Sequence, residues 1–121
     1  MSSFNIQASS KLKDNTLAQF VSSPVQDDLS YVPGLGGSGK IAESLRRNGI
    51  TSTYQLIGKF LELRGPDMTS VENCNRFAEW LTLKGASGNS RNYIVRSIAE
   101  KCSSIMPGIF DVSEFPEFNK D

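Results

Sequence analysis

The stretch Val32-Pro33-Gly34-Leu35-Gly36-Gly37-Ser38-Gly39-Lys40-Ile41-Ala42-Glu43-Ser44-Leu45 decides how the rest of the chain is read. Glycines at this density tolerate positive φ and let main-chain N–H groups come close to an anion, and a helix that follows adds unpaired donors and a partial positive charge. From Ser38 the pattern is helical: Ile41, Ala42 and Leu45 share a face, Arg46 and Arg47 point outward, and Asn48-Gly49 supplies a left-handed stop before Ile50. Upstream, Asp27-Asp28 caps about one turn, Leu29-Ser30-Tyr31-Val32, which ends at Pro33-Gly34. The segment is therefore a glycine-rich turn between helical pieces. It reads either as an anion-binding device or as a plain tight turn in which glycine only permits the backbone geometry.

Further out, every signal is helical. Asp14 or Asn15 caps a helix through Val21, with Leu17, Phe20 and Val21 on its apolar side and Ser22-Ser23-Pro24 closing it. Ser52 with Gln55 forms a capping box for a helix from Thr53 to Leu63, in which Tyr54, Leu56, Ile57, Phe60, Leu61 and Leu63 make a broad apolar surface. Thr69 with Glu72 opens the next, where Val71, Cys74, Phe77, Ala78 and Leu81 recur at helical spacing beside Trp80. After a break at Lys84 to Gly88, with Gly85 as its cap, a last helix runs from about Asn89 to Ile105 and stops at Pro107-Gly108. No strand pattern and no repeat is present. The expected fold is all-α, a compact bundle of five or six short helices over residues 14–106. A flexible N-terminal arm, 1–13, precedes it, and an acidic tail, 107–121, docked or free, follows with Phe110, Phe115 and Phe118.

Composition narrows the chemistry. At 121 residues the chain makes one domain, and a large apolar dimer interface would add usefully to its stability. The absence of histidine removes histidine-based nucleophilic triads, imidazole zinc sites and the commonest general base, so no catalytic residue, metal or cofactor is assigned and a non-enzyme is expected. Cys74 and Cys102 sit inside apolar helical patterns and read as buried thiols of a reducing compartment. No window is apolar enough to span a membrane, and the start of the chain lacks the pattern of a signal peptide. Formal net charge is zero, but the tail from Pro107 holds Asp111, Glu114, Glu117 and Asp121 against Lys120 alone, which leaves residues 1–106 modestly basic.

Gly34 to Gly39 formally matches the dinucleotide fingerprint, and Gly34 to Lys40 the first seven positions of a P-loop. Both need a preceding β-strand and a parallel sheet, and Ile41 stands where a P-loop needs Ser or Thr for magnesium. An apolar residue, Pro-Gly-Leu-Gly, a spacer and a helix ending in Asn-Gly-Ile instead resembles the helix-hairpin-helix motif, although with two extra residues before the helix. Such a hairpin, with main-chain N–H groups and one lysine, grips the sugar-phosphate backbone of duplex DNA and cannot read base edges.

The order of segments is also similar to the barrier-to-autointegration factor family, as a divergent member. The matching residues are Phe20-Val21 with Pro24, the glycine hairpin, Leu45 with Asn48-Gly49-Ile50, then Tyr54, Leu56, Gly58, Lys59-Phe60-Leu61 and Leu63, and finally Phe77, Glu79-Trp80-Leu81 and Gly85-Ala86. The resemblance covers roughly Asn15 to Met106; the longer hairpin, an inserted loop from Gly65 to Val71 and the acidic tail depart from it. It implies a small SAM-like helical fold and DNA held at three places. These are the start of the first helix, loosely Lys11 and Lys13; the hairpin, Gly34, Leu35, Gly36, Gly37, Ser38, Gly39 and Lys40; and the start of the last helix, Gly88, Asn89 and Ser90. Asn89 stands where the family has a lysine, with Arg91 as the candidate substitute. The resemblance further implies a homodimer that bridges double-stranded DNA without sequence preference, a nuclear location with the cytoplasm as a second site, a part in chromatin and nuclear-envelope organisation, and a LEM-domain partner of the inner nuclear membrane, with no membrane insertion of its own. Tyr54, Ile57, Gly58, Leu61 and Trp80 are the candidate dimer or partner contacts; alternatively they serve the monomer core. The competing functional reading is a helical, SAM-like protein-interaction module that has lost DNA binding.

Overall fold

A computed structural model describes residues 4–36 and 39–116 of the chain. Six α-helices follow one another: α1 (Ile6–Ser9), α2 (Asp14–Ser22), α3 (Lys40–Arg47), α4 (Thr53–Glu62), α5 (Ser70–Leu83) and α6 (Gly88–Ile105). Short 3-10 turns lie at Leu29–Tyr31 and Val112–Glu114, and among the described residues there is no strand. The local signals that start these helices operate as their chemistry requires. Thr69 accepts from the Glu72 N–H while the Glu72 carboxylate accepts from Thr69, a reciprocal box. At α4 the box is offset: Ser52 accepts from the Gln55 N–H, but the Gln55 side chain accepts from Thr51.

The bundle is organised around α6, which packs against α1, α2, α4 and α5. Ile94, Val95, Ile98, Ala99 and Cys102 are fully buried, and so are the neighbouring faces, the pattern of a helix enclosed on several sides. Two buried cations survive there because each is well supplied with acceptors. Arg96 donates from Nε to Glu100 at 2.5 Å and from Nη1 to Ser9 Oγ at 3.0 Å, and lies over the Phe110 ring. Lys101 donates to the carbonyls of Phe20, Val21 and Ser23, the closing turn of α2, where a cation also meets the negative helix end. Burial lowers the Lys101 pKa from its ordinary value.

The N-terminal end of the chain differs from the sequence expectation, and the C-terminal end takes the docked of its two alternatives. From Phe4 the supposed flexible arm is folded onto the bundle, with Phe4 and Ile6 buried. Its N–H groups are claimed by distant amides: Phe4 donates to Asn75 and Asn5 to Asn92, both at 3.0 Å. The tail is docked as far as the described residues extend. Ser70 is its anchor, accepting the Asp111 N–H at 2.8 Å and donating its own N–H to Glu114 at 2.8 Å, while Arg64 donates to the Ile109 carbonyl. The two ends meet through Phe115, whose ring stands edge-on to Phe4 at 5.8 Å and 5.6 Å from Phe110. Phe118 lies outside the described residues.

Candidate nucleic-acid interface

The glycine-rich turn is seated by its apolar members. Val32, Pro33 and Leu35 are buried, the Leu35 N–H closes the bend on the Val32 carbonyl at 2.9 Å, and Gly36 and Lys40 are left at the surface. Gly34, at φ +100°, lies directly on α6: a Cβ there would come 2.6 Å from the Ser90 carbonyl oxygen and 2.8 Å from Ile94. No other residue fits that contact, so the turn and the first turn of α6 are held together by a glycine. The entry to the turn is fixed by Asp28, which accepts the Ser30 N–H at 2.9 Å and faces Arg46 at 3.6 Å. Hydrogen bonds from Ser30, with a smaller contribution from Arg46, hold the Asp28 carboxyl below its ordinary pKa.

The turn opens on a cavity of about 440 Å³. Its wall includes Gly34, Leu35, Gly36, Gly39 and Lys40, and also Thr16 from the first turn of α2 and Ser90 from the first turn of α6. Three helix starts therefore converge on one space. None of these three has a side-chain cap: the N-cap residues of α2, α3 and α6 are Lys13, Gly39 and Ser87, and none makes the bond. By contrast α1, α4 and α5 are capped by Asn5, Ser52 and Thr69. The N–H groups of Gly34, Gly36, Gly39, Ile41 and Ala42 have no acceptor among the described residues. Of these all but Ala42 belong to the cavity wall, and helix starts without side-chain caps beside main-chain donors are what an anionic oxygen needs. Lys40 is the one cation among the lining residues.

Some residues singled out in the sequence lie elsewhere. Lys11, Lys13, Gly88, Asn89 and Arg91 do not line the cavity, although all but Arg91 are exposed. Arg91, read as a substitute for a missing lysine, instead donates to Thr82 Oγ1 at 3.0 Å, and its Nε is buried with no acceptor among the described residues. Gly37 and Ser38 lie outside the described residues. Thr16, Ser30 and Tyr31 were not singled out, and nothing local in the sequence marks them, since the packing of α2 and of the 3-10 turn brings them to the wall.

A second face is formed by α4 and α5. Tyr54 is 59% exposed and Gly58 is at the surface, whereas Ile57 and Leu61 are half-buried against the core. Trp80 stacks on Phe77 at 6.1 Å and carries Lys59 and Lys84 within 6 Å of its ring, and Leu83, three residues on, is 81% exposed. The buried thiols offer no nucleophile: burial pushes Cys74 well up and Cys102 up to about 12. Among the described residues no cluster of acidic or thiol ligands could hold a metal, and no helix is long and apolar enough to cross a membrane. Comparison with protein-family models, with curated proteins and with solved structures gives no match to the chain.

Proposed function

We propose that the chain binds the sugar-phosphate backbone of double-stranded DNA without sequence preference. The observation that carries the reading is the convergence on one cavity, beside Lys40, of three helix starts without side-chain caps and of the Gly34, Gly36 and Gly39 amides, which have no acceptor among the described residues. The donors are mostly main chain, and phosphate contacts of this kind fix position on a duplex but carry no base information. The order of segments shared with the barrier-to-autointegration factor family supports the same reading, with the hairpin acting as a helix-hairpin-helix. Dimerisation through the α4–α5 face would put two such sites on different sides of one particle, so that bridging of two duplexes follows from symmetry. Exposed Tyr54, Leu83 and Gly58 favour that face. A LEM-domain partner, a nuclear location and a part in chromatin organisation rest on the resemblance alone.

The test is titration of a random duplex at several salt concentrations, together with molecular mass in solution. Binding should weaken with a log–log slope of roughly −0.9 per phosphate contacted and should not depend on sequence. Gly36→Glu and Lys40→Glu should abolish it with the fold intact, since Gly36 is exposed and a Cβ there meets only the Ser30 carbonyl, at 3.3 Å. Wild-type affinity in both variants would reject the assignment. One observation favours the second reading, a SAM-like protein-interaction module: a net charge of zero with a single lining cation is sparse for a DNA surface. No retention of duplex at micromolar protein and low salt would favour that module.

A further inference from the structure

A second cavity, of about 350 Å³, adjoins the first and shares Thr16, Tyr31 and Pro33 with it. Its character is different. The remaining wall comes from the last turns of α2 and the loop after it, with Phe20 and Pro24 as apolar surface and Gln19 and Gln26 as carboxamides. No charged residue lines it. Tyr31 stands between the two spaces and is 61% exposed, an unusual position for a large aromatic ring that contributes little to the core. The end of α2 that forms this wall is held by Lys101, which takes the Phe20, Val21 and Ser23 carbonyls and lies 5.8 Å from the Phe20 ring.

We infer that this second cavity receives one unpaired nucleobase, stacked on Tyr31, while the adjoining phosphate occupies the amide-lined cavity. The inference rests on the DNA-binding reading and narrows its substrate to DNA with a single-stranded end or gap beside the duplex. Three features choose a base over other apolar occupants. A neutral space that shares a wall with a phosphate site matches the order of phosphate and base along a strand. Aromatic faces take any base by stacking. Carboxamides at the rim pair with base edges, which carry both donors and acceptors. A paired base cannot enter, because it is stacked inside the duplex.

The experiment compares three DNAs at one salt concentration: a blunt random duplex, the same duplex with a short single-stranded overhang, and that overhang with abasic sites. The overhang should bind roughly tenfold tighter than the blunt end, the scale of one stacked base, and the abasic overhang should behave as blunt. Tyr31→Ala should bring the overhang and blunt affinities together, whatever its effect on both, and Tyr31→Phe should keep their ratio. The thermal midpoint of both variants should stay at wild type because the ring is exposed. Equal binding of blunt and overhang DNA by the wild type, an abasic overhang as good as the full one, or an unaltered preference in Tyr31→Ala overturns the inference and leaves the duplex reading standing. Failure to bind any of the three overturns both.

Discussion

Replacing Gly34 by alanine tests whether the glycine turn is truly seated on α6. The added Cβ would lie 2.6 Å from the Ser90 carbonyl oxygen and 2.8 Å from Ile94, and the backbone angle of +100° disfavours any side chain. The backbone strain costs about 1–2 kcal/mol and the overpacking about 1–3 kcal/mol, so the variant should lose about 2–5 kcal/mol. For a domain with about 5–15 kcal/mol in total that is a large share, and the thermal midpoint should fall by at least about 6 °C. Gly39→Ala is the internal control. Its φ is +80° but nothing lies within 4 Å of the new Cβ, so only the backbone cost of about 1–2 kcal/mol applies. Thermal unfolding followed by circular dichroism measures both. Because the displaced turn leaves the first turn of α6, Gly34→Ala should also bind duplex more weakly at temperatures where it is still folded. Equal midpoints for the two variants would refute the seating of the turn on α6.

Other consequences follow from the same packing. Gly58→Ala adds a helix former where no atom lies within 4 Å, so an isolated subunit should gain about 1 kcal/mol; a drop in midpoint together with loss of dimer mass would instead locate a close subunit contact at that glycine. Phe115→Ala removes the ring that joins the two ends of the chain and should cost about 3 kcal/mol in urea unfolding, with protease access to the first ten residues as a second readout. Alkaline pH should destabilise the fold. The unfolded thiols ionise near pH 9 while the buried ones stay protonated, so stability is intact below that value and falls above it by roughly 1.4 kcal/mol per thiol for each pH unit. A Cys74→Ala, Cys102→Ala double variant should lose most of that slope, and an unchanged slope would contradict burial of the thiols.

What the sequence made legible was local. The Thr69 and Glu72 box, the stops at Gly49 and Gly85, and the apolar spacing of Ile94, Ile98 and Cys102 each act within one or two turns, so they appear as patterns in the chain. The first helix was not legible for the opposite reason. Four residues carry no periodicity, and what orders Ile6–Ser9 is Phe115, Asn75 and Asn92, far along the chain. Arg96 and Lys101 likewise give no sign of burial, because the Ser9 hydroxyl and the α2 carbonyls that satisfy them arrive only with the tertiary fold. The candidate site divides in the same way. Its glycines and Lys40 stand out in the sequence as a turn ahead of a helix, whereas Thr16 and Tyr31 join the cavity wall through packing alone, and the geometry of Gly34 against Ser90 has no counterpart in spacing.

The most direct test is an amide chemical-shift titration of the protein with a short random duplex. If main-chain donors at this bend hold phosphate, the largest shifts fall on Gly36, Gly39, Ile41 and Ala42, accompanied by Thr16 and Ser90, and a duplex of different sequence reproduces them. Shifts confined to the α4–α5 face, or a pattern that changes with base sequence, would contradict the assignment of the site.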